Sequence, residues 1–338
     1  MAVASTTALR HVAVIGAGAW GTALAIAVRR AGAEVVLWAR RPDLAETIAR
    51  RRENADYLPG VGLDAAILVT SDLAVAAAAE LLLLVVPAQH LRAVAGSLAP
   101  LLPDDRPLVI CAKGIEQASG ALMSEVLAQE LPGRPQAVLS GPSFAAEVAR
   151  GLPTALTLAA EDAALGAALV ATLGSRAFRP YLSDDPLGVQ IGGAVKNVVA
   201  IACGIVAGRR LGDNARAALI TRALAEIVQI GRAKGARAET FMGLSGLGDL
   251  LLTCTSAQSR NFSLGLALGQ GKTLAGVLDG RQSVVEGLYT ASAVVAMAAD
   301  AEIDAPIATA VDAVLNRGAD IGVTIDGLLA RPFRAESV

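Results

Sequence analysis

The segment His11-Val-Ala-Val-Ile-Gly-Ala-Gly-Ala-Trp-Gly21 constrains this chain more than any other. Val12 to Ile15 is a short apolar run of strand character, and Thr22 to Ala31 is an alanine-rich run of helix character. Between them stands Gly16-x-Gly18-x-x-Gly21. The three glycines differ in what they allow: Gly16 permits the tight turn, Gly18 lets backbone N–H groups approach a pyrophosphate, and Gly21 lets the helix lie close on the strand. A phosphate pair at that helix N-terminus meets the positive end of the helix dipole. The glycine pattern alone also fits an ordinary strand-to-helix turn. The strand before it and the helix after it supply the context that dinucleotide binding requires.

With 338 residues the chain is long enough for two domains. Hydrophobic residues make up 54% and aromatics only 3%, so the core must be built from Ala, Leu and Val. A formal net charge of -2, without a long basic block, offers no field for nucleic acid or anionic lipid. Three cysteines, Cys111, Cys203 and Cys254, stand far apart, and only His11 and His90 could add imidazole ligands. Neither a disulfide framework nor a metal site follows, which points to the reducing cytoplasm. Residues 1–10 hold one basic residue and no apolar run, so no signal peptide is expected. The apolar stretches Leu81 to Ala88 and Val198 to Ala207 read as too short to span a bilayer.

Further strands are expected at Glu34–Trp38, Ile67–Thr70, Leu81–Val86, Leu108–Cys111 and Ala137–Leu139, with helical segments between several of them. Continuously apolar strands alternating with helices imply a parallel sheet covered on both faces. Thr154–Leu158 and Phe178–Tyr181 read as two closing strands. Ser183-Asp-Asp185-Pro186 then offers an N-cap and a proline at the first helical position, and nearly everything beyond reads as helix. We therefore expect residues 1–185 to form a doubly wound, Rossmann-type α/β dinucleotide-binding domain. Residues 186–338 should form an all-α domain for substrate and catalysis. The apolar stripes of that half suit a homodimer surface as well as internal packing.

Dinucleotide folds commonly place a carboxylate after the second strand to hold the ribose of NAD. Here Ala39-Arg40-Arg41 stands instead, two guanidinium groups suited to a 2′-phosphate, which favours NADPH and leaves NADH open. A solvated basic loop would read the same way. Gly269-Gln-Gly271-Lys272-Thr273 imitates the end of a P-loop, but position 266 is Leu266 and no strand precedes it, so it reads as a surface loop.

The apolar helix from Leu187 to Gly208 carries Lys196 and Asn197, with Gly192 and Gly193 expected to leave open space beside them. Burial disfavours the charged amine and brings Lys196 toward the range of useful proton exchange, although a snorkelling lysine would fit too. Lys113 follows one parallel strand, and Ser140-Gly141-Pro142-Ser143 follows the next, where ligands of open α/β sheets bind. Gly246-Leu-Gly-Asp249 and Ser259-Arg260-Asn261 add an acid between glycines and an Arg-Asn pair at a helix start, suited to a small phosphorylated ligand.

Over nearly its whole length the chain resembles the bacterial NAD(P)-dependent glycerol-3-phosphate dehydrogenases. The matching segments are Gly16–Ala25, Ala112–Glu116, Ser140–Glu147, Ala194–Asn197, Gly246–Leu250, Ser259–Asn261 and Val285–Gly287. Ala19, where the family often has serine, and a few extra N-terminal residues are departures. The resemblance implies reversible hydride transfer between NADPH or NADH and dihydroxyacetone phosphate, giving sn-glycerol 3-phosphate for phospholipid synthesis. It implies Lys196 as proton donor and acceptor. It maps Lys113, Gly141, Ser143, Asp249, Ser259, Arg260 and Asn261 to the triose phosphate. Gly16, Gly18, Ala19, Trp20, Gly21, Arg40, Arg41, Lys113, Ala145, Arg260, Val284 and Glu286 map to the cofactor. A like charge at Lys113 would lower the Lys196 pKa if the two lie close. Rival readings are a reductase of another small keto or hydroxy acid and a non-catalytic NAD(P)-binding redox sensor.

Overall fold

The structure, a computed structural model, describes residues 8–279 and 284–333. Within them the chain forms two compact units, the first drawn from residues 8–112 and 123–186, the second from residues 113–122, 187–279 and 284–333.

The first unit is built on eight strands: β1 (His11–Ile15), β2 (Glu34–Trp38), β3 (Leu68–Thr70), β4 (Leu81–Leu84), β5 (Leu108–Ile110), β6 (Gln136–Ser140), β7 (Thr154–Ala159) and β8 (Phe178–Ser183). Their order is β3-β2-β1-β4-β5-β6-β7-β8. Pairing is parallel from β3 through β6, antiparallel between β6 and β7, and parallel again between β7 and β8. Val12, Val14, Leu81, Leu83 and Val109 are wholly buried, as strands covered on both faces must be. The chain winds outward from β1 to β3 and then crosses to β4. The switch point therefore falls between β1 and β4, where Gly16 begins the turn into the Ala19–Arg30 helix.

The second unit is helical, apart from an isolated bridge between Ile115 and Leu122. Its spine is the Pro186–Gly208 helix, which begins at the proline as its sequence predicts. That helix has the length and composition to cross a membrane, longer than the apolar stretches alone indicated, but 89% of its most apolar window is buried inside the protein. Its apolar faces are covered by the Asp213–Ala233, Arg260–Gly269 and Glu286–Asp300 helices, and Val198, Ala200, Ile201 and Cys203 sit in that core. An apolar helix whose whole circumference is buried is a core helix. Residues 113–122 also pack with this unit, Ile115 and Leu122 entering the same core. A single cut at 185/186 leaves that excursion out.

Candidate active site

In the first unit the turn after β1 has the shape that its glycines predict. Gly16 has φ +122°, and a Cβ there would stand 2.8 Å from the Val85 carbonyl oxygen. A Cβ on Gly21 would meet the Gly16 carbonyl oxygen at 1.8 Å, so helix and turn touch backbone to backbone. A Cβ on Gly18 would meet nothing within 4 Å. Gly18 is the N-cap of the Ala19–Arg30 helix and no side chain caps that helix, so its first N–H groups remain available to an anion. The Trp20 indole N–H is buried without an acceptor among the described residues. An open, uncapped helix start beside an orphaned donor fits a dinucleotide.

After β2, Arg40 and Arg41 are exposed. Arg41 faces Asp43 at 3.5 Å and Asp56 at 3.6 Å. Acids therefore stand beside the basic loop, though none at Ala39-Arg40-Arg41 itself, and Arg40 is its less engaged cation. Gly141 has φ +149°, and a Cβ there would strike Leu156 at 2.8 Å. Ser143 donates from Oγ to the Gly141 carbonyl at 2.9 Å, and Ala145 opens the Ala145–Arg150 helix.

In the second unit, three ionisable side chains meet. Asp249, 1% exposed, accepts from Lys196 Nζ at 2.5 Å through Oδ1 and from Lys113 Nζ at 2.7 Å through Oδ2. Lys196 also donates to Thr253 Oγ1 at 2.9 Å, and that hydroxyl donates to the Asp249 backbone carbonyl at 2.6 Å. Asp249 and Thr253 are four residues apart on the Asp249–Thr255 helix and so share a face. An ammonium has three N–H bonds. Two are committed, and the third has no acceptor among the described residues.

Burial pushes the Lys196 amine down from 10.5 to about 8, the Asp249 charge resists, and the like charge of Lys113 adds to the fall. For Asp249, burial opposes ionisation, but Lys113 and Lys196 outweigh it and hold the carboxyl below its usual range. Two ammonium groups against one carboxylate leave the cluster with one net positive charge.

A chain of amides fixes the frame around it. Asn197 Nδ2 donates to the Lys113 carbonyl at 3.0 Å, Asn261 Nδ2 to Asn197 Oδ1 at 2.9 Å, and the Gly287 N–H to Asn261 Oδ1 at 3.0 Å. Ser259 caps the Arg260–Gly269 helix through the Phe262 N–H. Arg260 is exposed in the first turn and feels the Glu286 charge. Val284 is half-buried just before the Glu286–Asp300 helix, on which Glu286 is the first residue.

Lys113, Lys196 and Asp249 thus touch, with Asn261 tied in through Asn197. Gly141, Ser143 and Ala145 belong to the first unit. Gly192 does not border open space as expected: a Cβ there would stand 2.9 Å from the Ser245 carbonyl oxygen, because the Leu244–Gly248 turn fills that side. Sequence alone assigns Thr253 no role of its own, though its spacing from Asp249 is a signal that the two share a helix face. The P-loop imitation is a turn between the Arg260–Gly269 and Leu274–Leu278 helices. Among the described residues no cluster could hold a metal.

The model of the NAD-dependent glycerol-3-phosphate dehydrogenase N-terminus matches residues 11–166, and that of the C-terminus matches residues 185–326. The chain belongs to the NAD-dependent glycerol-3-phosphate dehydrogenase family. Among its relatives are the glycerol-3-phosphate dehydrogenases [NAD(P)+] of Rhodospirillum rubrum and Parvibaculum lavamentivorans. The former is 61% identical over 96% of this chain and 94% of that protein, the latter 55% identical over 98% and 100%. The solved glycerol-3-phosphate dehydrogenase of Coxiella burnetii superposes with a TM-score of 0.92 at 39% identity, over 95% of this chain and 99% of that one. This dehydrogenase is therefore an NAD(P)-dependent oxidoreductase with a Rossmann-type first unit and a helical second unit.

Proposed function

We propose that this dehydrogenase catalyses the reversible reduction of dihydroxyacetone phosphate to sn-glycerol 3-phosphate in the cytoplasm, in support of phospholipid synthesis. The observation that carries the reading is the buried Lys113–Asp249–Lys196 cluster with one uncommitted N–H on Lys196.

The nicotinamide, when bound, supplies or accepts the hydride. As the carbonyl carbon is reduced, negative charge grows on its oxygen. The Lys196 ammonium stabilises that charge and delivers its proton; in the oxidation direction the neutral amine takes the hydroxyl proton. Asp249 and Thr253 each hold one N–H of Lys196, which aims the third. Lys113 keeps the site net positive, suited to an anionic ligand. Ser259, Arg260 and Asn261, at the start of their helix, bind the substrate phosphate and turn remote binding into orientation. Gly141 and Ser143 serve the substrate, and Ala145, Val284 and Glu286 the cofactor, as the sequence resemblance implies. Gly16 to Gly21 take the pyrophosphate, and Arg40 pairs with a 2′-phosphate, which favours NADPH.

The test is NADPH oxidation against dihydroxyacetone phosphate and a panel of unphosphorylated keto acids. Lys196→Ala should lose about 100-fold or more in kcat while keeping its NADPH affinity. Near-parental turnover by this variant would remove Lys196 from the mechanism, and preference for an unphosphorylated keto acid would overturn the substrate.

A further inference from the structure

We infer that Asn54 is a positioning residue for cofactor binding: it turns the Ala17–Gly18 peptide so that the Gly18 N–H faces the pyrophosphate. The inference rests on the dinucleotide reading of the Gly16–Gly21 turn. Asn54 lies just beyond the Pro42–Arg51 helix and is wholly buried. Its Nδ2 donates to the Ala17 carbonyl oxygen at 2.9 Å and to Thr22 Oγ1 at 2.7 Å. Because a carbonyl can only accept, the NH2 end of the amide must be the end that faces the turn. Its Oδ1 is buried with no partner among the described residues. The side chain therefore sits there for its donors, despite an acceptor left unsatisfied.

The consequence follows from peptide geometry. In a trans peptide the C=O of one residue and the N–H of the next point in opposite directions across a planar unit. With the Ala17 carbonyl drawn inward by Asn54, the Gly18 N–H is directed the other way. Gly18 is where a Cβ would find open space and where the uncapped helix begins. Ala17 is 6% exposed, so its carbonyl would otherwise be buried without this bond. The backbone of Asn54 is itself anchored, its carbonyl accepting from the Leu58 N–H at 2.7 Å and the Tyr57 N–H at 3.3 Å. A loop residue 37 positions beyond Ala17 thus holds one peptide plane of the phosphate site.

Asn54→Ala should raise the dissociation constants of NADPH and of ADP in step, by about tenfold, because both carry the pyrophosphate. The KM for dihydroxyacetone phosphate and the NADPH-to-NADH preference should stay within about twofold, which a general loss of structure would not leave untouched. Thr22→Val removes the other acceptor but leaves the Ala17 bond, and its NADPH affinity should stay within about twofold of the parent. Equal losses in both variants would make Asn54 a packing residue and overturn the inference. The intact protein gives a second check through glycine-selective 15N labelling. The Gly18 amide resonance should move when ADP is added, and a stationary resonance at saturation would overturn the inference whatever the variants do. A parent protein that fails to bind NADPH at all would sink the dinucleotide reading itself, and this inference with it.

Discussion

Lys196 stays within reach of neutral pH because two opposed forces act on one nitrogen: burial expels its charge, and a carboxylate 2.5 Å away retains it. The balance near 8 sets the direction of the pH response. Ketone reduction needs the ammonium, so its kcat/KM should be level below about 8 and fall above it. Alcohol oxidation needs the free amine and should rise toward the same value. Asp249→Asn removes the retaining charge, so burial and Lys113 both act unopposed and the two limbs move to lower pH. Rate profiles in both directions for parent and variant test this. Limbs that stay in place, or move to higher pH, would show that Asp249 does not hold the Lys196 charge. Lys196 and Asn197 could be picked out from the sequence because they interrupt an apolar helix. Lys113 and Asp249 could be named as candidates too, but not their meeting, since they are 136 residues apart and only the fold joins them.

At the scale of elements, the frame of the site depends on two helices meeting without side chains between them. A Cβ on Gly204 would stand 2.1 Å from the Phe262 carbonyl oxygen, and one on Gly265 would stand 2.0 Å from that of Ile201. The Pro186–Gly208 and Arg260–Gly269 helices therefore touch through their backbones, which brings Asn197 and Asn261 to 2.9 Å. Alanine is better than glycine inside a helix by about 1 kcal/mol, so propensity alone predicts that Gly204→Ala stabilises. The contact reverses the sign, because a backbone carbonyl at that range cannot step aside, and overpacking costs about 1–3 kcal/mol. Gly204→Ala should lower the thermal midpoint by several degrees and weaken triose phosphate binding. A variant more stable than the parent would refute the close crossing. In the sequence these glycines were anonymous, for a helix-breaking residue inside a helix announces a close neighbour without naming it. The strands were easier to find, since β4 and β5 are buried on both faces and so are apolar throughout.

For the whole molecule, the alternation of strand and helix was enough to assign the two architectures, but not to see that residues 113–122 leave the first for the second. That segment is short, and its apolar residues Ile115 and Leu122 find their core beyond residue 187. A second feature invisible in sequence ties the stability of the helical unit to pH. Glu226 on the Asp213–Ala233 helix accepts the N–H groups of Ile307 at 2.9 Å and Ala308 at 3.3 Å, capping the Pro306–Asn316 helix from the side. Burial raises its carboxyl from 4.5 to about 7; the two N–H bonds and Arg331 oppose the rise, and Asp304 adds to it. Between those values the folded state holds a proton that the unfolded state has released, so unfolding liberates it and stability falls as pH rises. Below the window both states are protonated and the contribution is complete; above it both are ionised and it has gone. The difference amounts to about 3 kcal/mol. Glu226→Gln keeps an acceptor for the helix start and cannot ionise. Denaturant melts from pH 5 to 8 should show the parent losing stability relative to this variant as pH rises, with the curves parallel above about 7. A constant offset across the whole range would mean that the Glu226 carboxyl titrates alike in the folded and unfolded chains, and that its burial does not govern its proton.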